Sequence, residues 1–268
     1  MSKLRADVAL VTTGQASSRQ KAQAFIMAGQ VYYKEVKITK ASEWIEDSSL
    51  LHIRGQVHPF VGRGALKLDK AVHTFSLQVE GLICLDIGAA TGGFSDVLLQ
   101  NGAKHVYAVD VGYGQLDWKI RNDERVTVLE RTNARYLTHE QIPQVPDITV
   151  MDVSFISVKK LLPVCAMLME DEGFFAILIK PQFEAGREHV GKKGVVREPS
   201  VHEAVIADIA SFVSSMDYTM TNLDFSPITG PEGNIEYICT LYPVHRSTVS
   251  ITHDDINTVV KRAHTTLR

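Results

Sequence analysis

Leu82-Ile83-Cys84-Leu85-Asp86-Ile87-Gly88-Ala89-Ala90-Thr91-Gly92-Gly93-Phe94 is the stretch on which the fold turns. Its first four residues read as a buried strand. An acid follows, then a glycine-rich run, then an apolar helix from Phe94 to Leu99. Glycine has no Cβ, so backbone in such a loop can pass close to a ligand. The first free N–H groups of the helix then stand beside that ligand. The pattern is strand, cofactor loop, helix.

The spacing selects the kind of cofactor. A dinucleotide fingerprint asks for Gly-x-Gly-x-x-Gly, whose second glycine clears the pyrophosphate. Here Ala90 takes that place, and Asp86 stands two residues before the first glycine. A carboxylate there repels pyrophosphate and suits a ligand bearing an ammonium group. S-adenosylmethionine has one, plus a sulfonium, and no phosphate. A second strand, from His105 to Val109, ends in Asp110, placed to accept hydrogen bonds from ribose hydroxyls.

Strands are expected over 82–87, 105–110, 126–130, 147–152, 173–180, 219–226 and 235–242, with helices near 93–102, 115–121, 155–169 and 199–216. Apolar, β-branched strands alternating with helices imply an α/β fold with a parallel sheet covered on both faces. The last two strands are joined by only a short turn (227–233), so they form an antiparallel hairpin at one edge. Residues 252–268 read as an amphipathic helix capped by Thr252, with Ile256, Val259, Val260 and Ala263 on one face. Ligands in such sheets bind at the carboxyl ends of the strands. Asp86, Asp110, Asp152 and Lys180 all stand there. Residues 181–198, glycine-rich and charged, read either as a mobile loop over that end or as a plain surface loop.

Residues 1–60 form a unit of their own. Lys3 to Val11 reads as a helix with Leu4, Val8, Ala9 and Val11 inward, and Ser17 or Ser18 caps a second helix running to Gly29. Short strands follow at Val31–Thr39 and Ser49–Arg54, then a linker over about 55–64. This unit carries eight Lys/Arg against five Asp/Glu, while the whole chain is at −3. A basic head on an acidic body suggests a nucleic-acid module joined to an enzyme. Arg5, Arg19, Lys21, Lys34 and Lys37 are its candidate phosphate contacts.

Composition is that of a globular protein, with 45% hydrophobic and 22% charged residues. Cys84, Cys165 and Cys239 are far apart and odd in number, which argues against a disulfide framework or metal cluster. No apolar signal core begins the chain, and no apolar run reaches the roughly 20 residues of a membrane helix. The expectation is a cytoplasmic protein with no metal.

Asp152 and Lys180 end adjacent strands, where an unpaired lysine after an apolar run would be costly. Glu236, on the edge hairpin, and Lys67, on the helix leading into the domain, complete two cations and two anions. Glu236 could instead face solvent, and Arg63, Lys67 and Lys70 could be one solvated helix face. Converging on a methyl donor, the four suit alkylation of a weak nucleophile such as a ribose hydroxyl. Lys180 would take its proton, Asp152 and Glu236 would orient the charges, and Lys67 would offset developing oxyanion charge.

The segments Arg5-Ala6-Asp7, Ser18-Arg19, Lys21-Ala22 and Ile26-Met27-Ala28-Gly29-Gln30-Val31 resemble the S-four-like RNA-binding domain. Gly62-Arg63-Gly64-Ala65-Leu66-Lys67-Leu68, Asp86 to Phe94, Met151 to Ser157, Ile179 to Glu184 and Gly233-Asn234-Ile235-Glu236-Tyr237 resemble an FtsJ-like methyltransferase core. Over residues 3–243 the chain resembles the TlyA family, whose members are described as haemolysin A and as ribosomal RNA 2′-O-methyltransferase. That resemblance implies a Rossmann-like class I methyltransferase at 61–268, built on a mostly parallel seven-stranded sheet with an edge hairpin. A small α+β S-four-like RNA-binding domain precedes it at 1–60. It also implies a Lys-Asp-Lys-Glu tetrad at Lys67, Asp152, Lys180 and Glu236. The expected cofactor set is Asp86, Gly88, Ala89, Thr91, Gly92, Gly93, Phe94, Asp110, Val111, Asn133, Ala134 and Asp152, and Arg63 joins the RNA set. The family's usual Val-Asn-Gly is replaced by Tyr32-Tyr33-Lys34-Glu35.

The expected activity is therefore S-adenosylmethionine-dependent 2′-O-methylation of ribosomal RNA, free or in a ribosomal subunit, with no membrane partner. The alternatives are a haemolysin-like membrane-active protein and a non-catalytic ribosome-binding factor.

Overall fold

The computed structural model describes residues 3–16, 18–27, 29–53, 58–170, 172–247 and 249–267, and at Pro231 the backbone alone. The chain forms two units, 1–58 and 59–268. Ser17, Arg54 and the start of the expected linker at Gly55 lie outside the described residues.

The small unit runs β1 (Leu4–Arg5), α1 (Ala6–Thr12), α2 (Arg19–Met27), β2 (Val31–Tyr33), β3 (Val36–Lys37), β4 (Trp44–Ile45) and β5 (Leu51–Ile53). It departs from expectation in three places. Leu4 and Arg5 pair with Trp44 and Ile45 instead of opening the first helix. That helix buries Ala6, Asp7, Ala9 and Leu10; Leu4 and Val11 pack partly buried against the same core, as expected, while the Asp7 carboxylate turns inward to meet Arg5, Arg19 and Gln23. The single strand expected at 31–39 is a hairpin, turned at Lys34 and Glu35 with φ of 47° and 68°. Two consecutive left-handed residues make the tight turn whose twist matches its strands. Ser18 accepts a hydrogen bond from the Lys21 N–H at 3.2 Å and so caps α2.

The large unit continues with α3 (Ala65–Thr74), β6 (Ile83–Ile87), α4 (Gly93–Gln100), β7 (His105–Val109), α5 (Trp118–Arg121), β8 (Val126–Leu129), β9 (Ile148–Met151), α6 (Leu162–Leu168), β10 (Phe174–Ile179), α7 (Pro181–Glu184), α8 (Pro199–Ser214), β11 (Tyr218–Phe225), β12 (Tyr237–Pro243) and α9 (His253–Leu267). The seven strands lie in the order β11-β12-β10-β9-β6-β7-β8. The pairs β11–β12 and β12–β10 are antiparallel and the other four pairs parallel, which places the expected antiparallel hairpin at one edge. The strand order reverses between β6 and β9, which opens a crevice at their carboxyl ends.

Successive side chains of a strand point to opposite faces, so each strand feeds two cores. Leu85, Ile87, Met151, Phe175 and Ile177 pack under α6, α8 and α9, while Cys84, Val106, Val150, Ala176 and Leu178 pack under α3 and α4. All three thiols are buried, and burial pushes each one up, to about 12 for Cys165.

The helix expected over 155–169 begins only at Leu162. Residues 153–157 form an open arch instead, with Phe155 left-handed at φ 65°. Pro163 gives the reason, since it lacks an N–H and is tolerated in a first turn but not mid-helix. At α9, Thr252 Oγ1 accepts from the Asp255 N–H and the Asp255 carboxylate accepts from the Thr252 N–H, a reciprocal cap. The segment 181–198 is tied down at several points. Asn234 accepts from the Val196 N–H and donates to the Gly194 carbonyl.

Candidate active site

The glycine loop follows from local geometry. Gly88 stands at φ 84°, and a Cβ there would lie 2.8 Å from the Asp152 carbonyl oxygen. Only a bare backbone lets β6 approach the end of β9 this closely. Gly92, at φ 87°, starts α4.

Beside the loop lies a cavity of about 450 Å3 at the carboxyl ends of β6, β7 and β9. Of the expected cofactor residues, Gly88, Asp110, Val111, Asn133, Ala134 and Asp152 line it. Asp86, Ala89, Thr91, Gly92, Gly93 and Phe94 do not line it and instead build the loop and the helix behind it. The Asp110 carboxylate accepts the Ala90 N–H at 2.9 Å and the Gly112 N–H at 2.6 Å, which fixes it facing the loop. Asp86 is fully buried, with one oxygen accepting from Ser95 Oγ at 2.6 Å and the other without a hydrogen-bond partner. Burial pushes its carboxyl up to about 7, with the Ser95 hydrogen bond working against that.

The cavity lining has two carboxylates, Asp110 and Asp152, against one cation, Arg135. Apolar Val109, Val111, Val153, Ile156 and Leu161 surround them. This donor set fits a ligand with an aromatic base, a ribose and a positive charge, as S-adenosylmethionine has, and does not fit a pyrophosphate. Among the described residues no group of His, Cys, Asp or Glu is arranged to hold a metal ion.

The four charged residues expected to act together meet at this end of the sheet. Lys67 Nζ lies 3.3 Å from Asp152 Oδ2 and 2.7 Å from Glu236 Oε2. Lys180 Nζ lies 2.5 Å from Asp152 Oδ1 and donates to Ser154 Oγ at 3.1 Å. Lys67 and Glu236 are not solvated. Lys67 is 7% exposed and Glu236 is fully buried. Burial works against the Lys67 charge, but Asp152 and Glu236 together outweigh it and raise its pKa above the ordinary lysine value. Lys70, on the same helix, pairs elsewhere, with Asp224 at 2.7 Å.

The basic residues of the sequence reading fall into two groups. Arg5 and Arg19 both bind the buried carboxylate of Asp7, at 3.1 and 3.0 Å. Burial pushes that carboxyl up, but the hydrogen bonds of Arg5, Gln23 and Arg19 together hold it well below the usual range. Lys21, Lys34 and Lys37 are exposed, the last with its chain lying over Gly29. Arg63, in the large unit, donates to the Thr229 carbonyl at 2.9 Å.

Sequence reasoning missed Ser154, Phe155, Gln182 and Glu184. Gln182 donates to Glu236 Oε1 at 3.3 Å. Phe155 lines the cavity yet is 92% exposed, and its ring lies 5.1 Å from that of Phe183. All four sit inside the stretches 151–157 and 179–184. Their positions were visible, but their contacts were not.

The FtsJ-like methyltransferase family matches residues 60–242. YqxC of Bacillus subtilis, a candidate rRNA methyltransferase, is 47% identical over 99% of this chain and 96% of its own. The 16S/23S rRNA (cytidine-2′-O)-methyltransferase TlyA of Mycobacterium tuberculosis is 42% identical over 88% of this chain and 89% of its own. Hemolysin A of Brachyspira hyodysenteriae is 41% identical over 88% and 98%. The solved structure of a hemolysin candidate from Streptococcus thermophilus, 43% identical, superposes with a TM-score of 0.78 over 99% of this chain and 97% of its own.

Proposed function

The chain belongs to the FtsJ-like methyltransferase family, and on that premise we propose that it methylates a ribose 2′-hydroxyl of ribosomal RNA. S-adenosylmethionine is the donor, supplying a methyl carbon that already carries a good leaving group. The observation that carries the reading is the shared Asp152 carboxylate, with Lys67 on one oxygen and Lys180 on the other, at the wall of the cofactor cavity.

The residues divide the work by their surroundings. Lys67, between two carboxylates, keeps its proton and offsets charge that develops on the attacking oxygen. Lys180, held by one oxygen of Asp152 and by the Ser154 hydroxyl, is the group assigned to take the hydroxyl proton, which it does from its neutral form after releasing its own proton to solvent. Asp152 then holds the ammonium so formed. Glu236 orients Lys67, and Gln182 steadies Glu236. Positioning supplies much of the remaining acceleration. Gly88, Asp110, Val111, Asn133 and Ala134 hold the donor, and the exposed Phe155 ring offers a face for a base to stack on.

Residues 1–60 act as the S-four-like RNA-binding domain of this reading. Within it Lys21, Lys34 and Lys37 meet phosphates, and Arg5 and Arg19 do so while tied to Asp7; in the large unit, Arg63 is assigned the same kind of contact. A ribosomal partner places the work in the cytoplasm. A membrane-active alternative has the names of both hemolysin-named relatives described above behind it. Among the described residues no helix is long and apolar enough to cross a membrane.

The test is Lys180→Ala assayed with ribosomal RNA and labelled cofactor. Loss of at least about a hundredfold in rate is expected. Activity near that of the unmodified protein overturns the assignment, and liposome lysis that survives Gly88→Ala favours the membrane reading.

A further inference from the structure

Glu184 closes the polypeptide arch that carries half of the active centre. It ends α7, four residues after Lys180, and its carboxylate reaches across to the segment that follows β9. Oε2 accepts from Ser157 Oγ at 2.6 Å, and Oε1 accepts from the Val158 N–H at 2.8 Å. Ser157 Oγ also accepts the Lys159 N–H at 3.2 Å and so caps the next helical turn. A Lys159–Asp208 ion pair ties the same turn to α8.

The other foot of the arch is the sheet itself, where the Asp152 N–H donates to the Ile87 carbonyl at 3.1 Å. Between the feet stand Val153, Ser154, Phe155 and Ile156, all of which line the cofactor cavity. Phe155 is left-handed at φ 65°, a conformation that a bulky side chain adopts only when its surroundings impose it. Nothing buries the ring, which is 92% exposed, so burial of Phe155 is not what holds it. The bonds at the two feet restrain the arch, together with the Lys180–Ser154 hydrogen bond and the Phe155–Phe183 ring contact between them.

We propose that Glu184 is a positioning residue for methyl transfer: by pinning Ser157 and Val158 it holds Ser154 against Lys180 and Phe155 in its left-handed conformation at the cavity mouth. This rests on the functional reading above. Glu184 is half-buried, and burial raises its carboxyl above the ordinary range, with the two hydrogen bonds working against that shift. Lys159 favours its charge and Asp208 opposes it. A side chain placed at that expense, with both oxygens occupied by one loop, is a clamp.

The test compares Glu184→Ala, Glu184→Gln, Ser157→Ala and the Glu184→Ala/Ser157→Ala pair. Glu184→Ala is expected to lower kcat by tenfold or more with KM for RNA changed less than threefold. Glu184→Gln, which keeps an acceptor for the Val158 N–H, is expected to recover most of that loss. The double variant should lose less than the sum of the two single losses, since both remove the Glu184–Ser157 bond, while Ser157→Ala also removes the cap on the Lys159 N–H. Amide exchange at 154–158 should speed up at least tenfold in Glu184→Ala while the β6 and β9 amides stay protected.

Unchanged kcat in Glu184→Ala, or full additivity in the double variant, overturns the proposal. So does unchanged exchange at 154–158. The exchange arm needs no substrate, so it decides on the clamp even if Lys180→Ala shows the methylation reading to be wrong. Should Glu184→Ala fail to fold, Ser157→Ala and Glu184→Gln carry the same comparison.

Discussion

Lys67 Nζ and Glu236 Oε2 lie 2.7 Å apart, joining α3 to the residue that leads into β12. Both are buried, and Lys67 links the pair to Asp152 at 3.3 Å. Removing one partner strands the other. Lys67→Met is therefore expected to lower stability by about 3–5 kcal/mol, because a buried carboxylate left unpaired is strongly unfavourable. Lys67→Met with Glu236→Leu should recover most of that stability and remain inactive. Urea unfolding beside a methylation assay separates the two effects.

Asp86 makes stability depend on pH. Its carboxyl sits at about 7 in the folded protein against an ordinary value of 3.8. Between those values the folded protein holds a proton that the unfolded chain has lost. The contribution of Asp86 to stability is therefore largest below the lower value and falls as pH rises toward 7, by up to about 1.4 kcal/mol per pH unit. Asp86→Asn, which keeps an acceptor for Ser95, should flatten this slope. Thermal unfolding of both proteins from pH 4 to 8 checks it, and parallel curves would refute it.

Gly88→Ala adds a methyl 2.8 Å from the Asp152 carbonyl oxygen at a left-handed position. Strain of about 1–3 kcal/mol is expected. The backbone that carries Asp152 must move, so cofactor affinity should fall at least tenfold. Calorimetric titration with S-adenosylmethionine measures this directly.

In the small unit, the two arginines and the lysines should behave differently. Arg19→Ala removes a partner of the buried Asp7 carboxylate, so it is expected to lower stability as well as RNA binding. Lys21→Ala should leave the melting temperature unchanged and reduce the salt dependence of RNA binding by about one unit of slope. Binding measured across a salt series, with melting curves, distinguishes the two.

Phe155→Gly relieves a left-handed backbone without emptying a core, since the ring is exposed. Stability should hold steady or rise by up to about 1 kcal/mol, while methylation of RNA falls at least tenfold. Equal losses of both would argue for a packing role instead.

Local pattern carried much of this protein. The loop at 86–94, the alternation of strands and helices, the edge hairpin and the capped final helix follow from glycine placement, periodicity and capping. Each depends on residues a few positions apart. Pro163 was equally readable and places the start of α6 later than periodicity alone suggests.

Long-range packing decided the rest. Lys67 meets Asp152 across 85 residues and Glu236 across 169, and which strand lies beside β10 decides whether Glu236 is buried or wet. Asp7 turns its carboxylate inward because Arg5, Arg19 and Gln23 converge on it, which no helical periodicity encodes. At the arch of 153–157, Glu184 reaches across from the next strand's end to bond the far foot. Sequence specified the residue types and the local turns, since these follow from each residue's own backbone and near neighbours. Which charges are paired and buried depends on the sheet order, so only the folded chain could decide it.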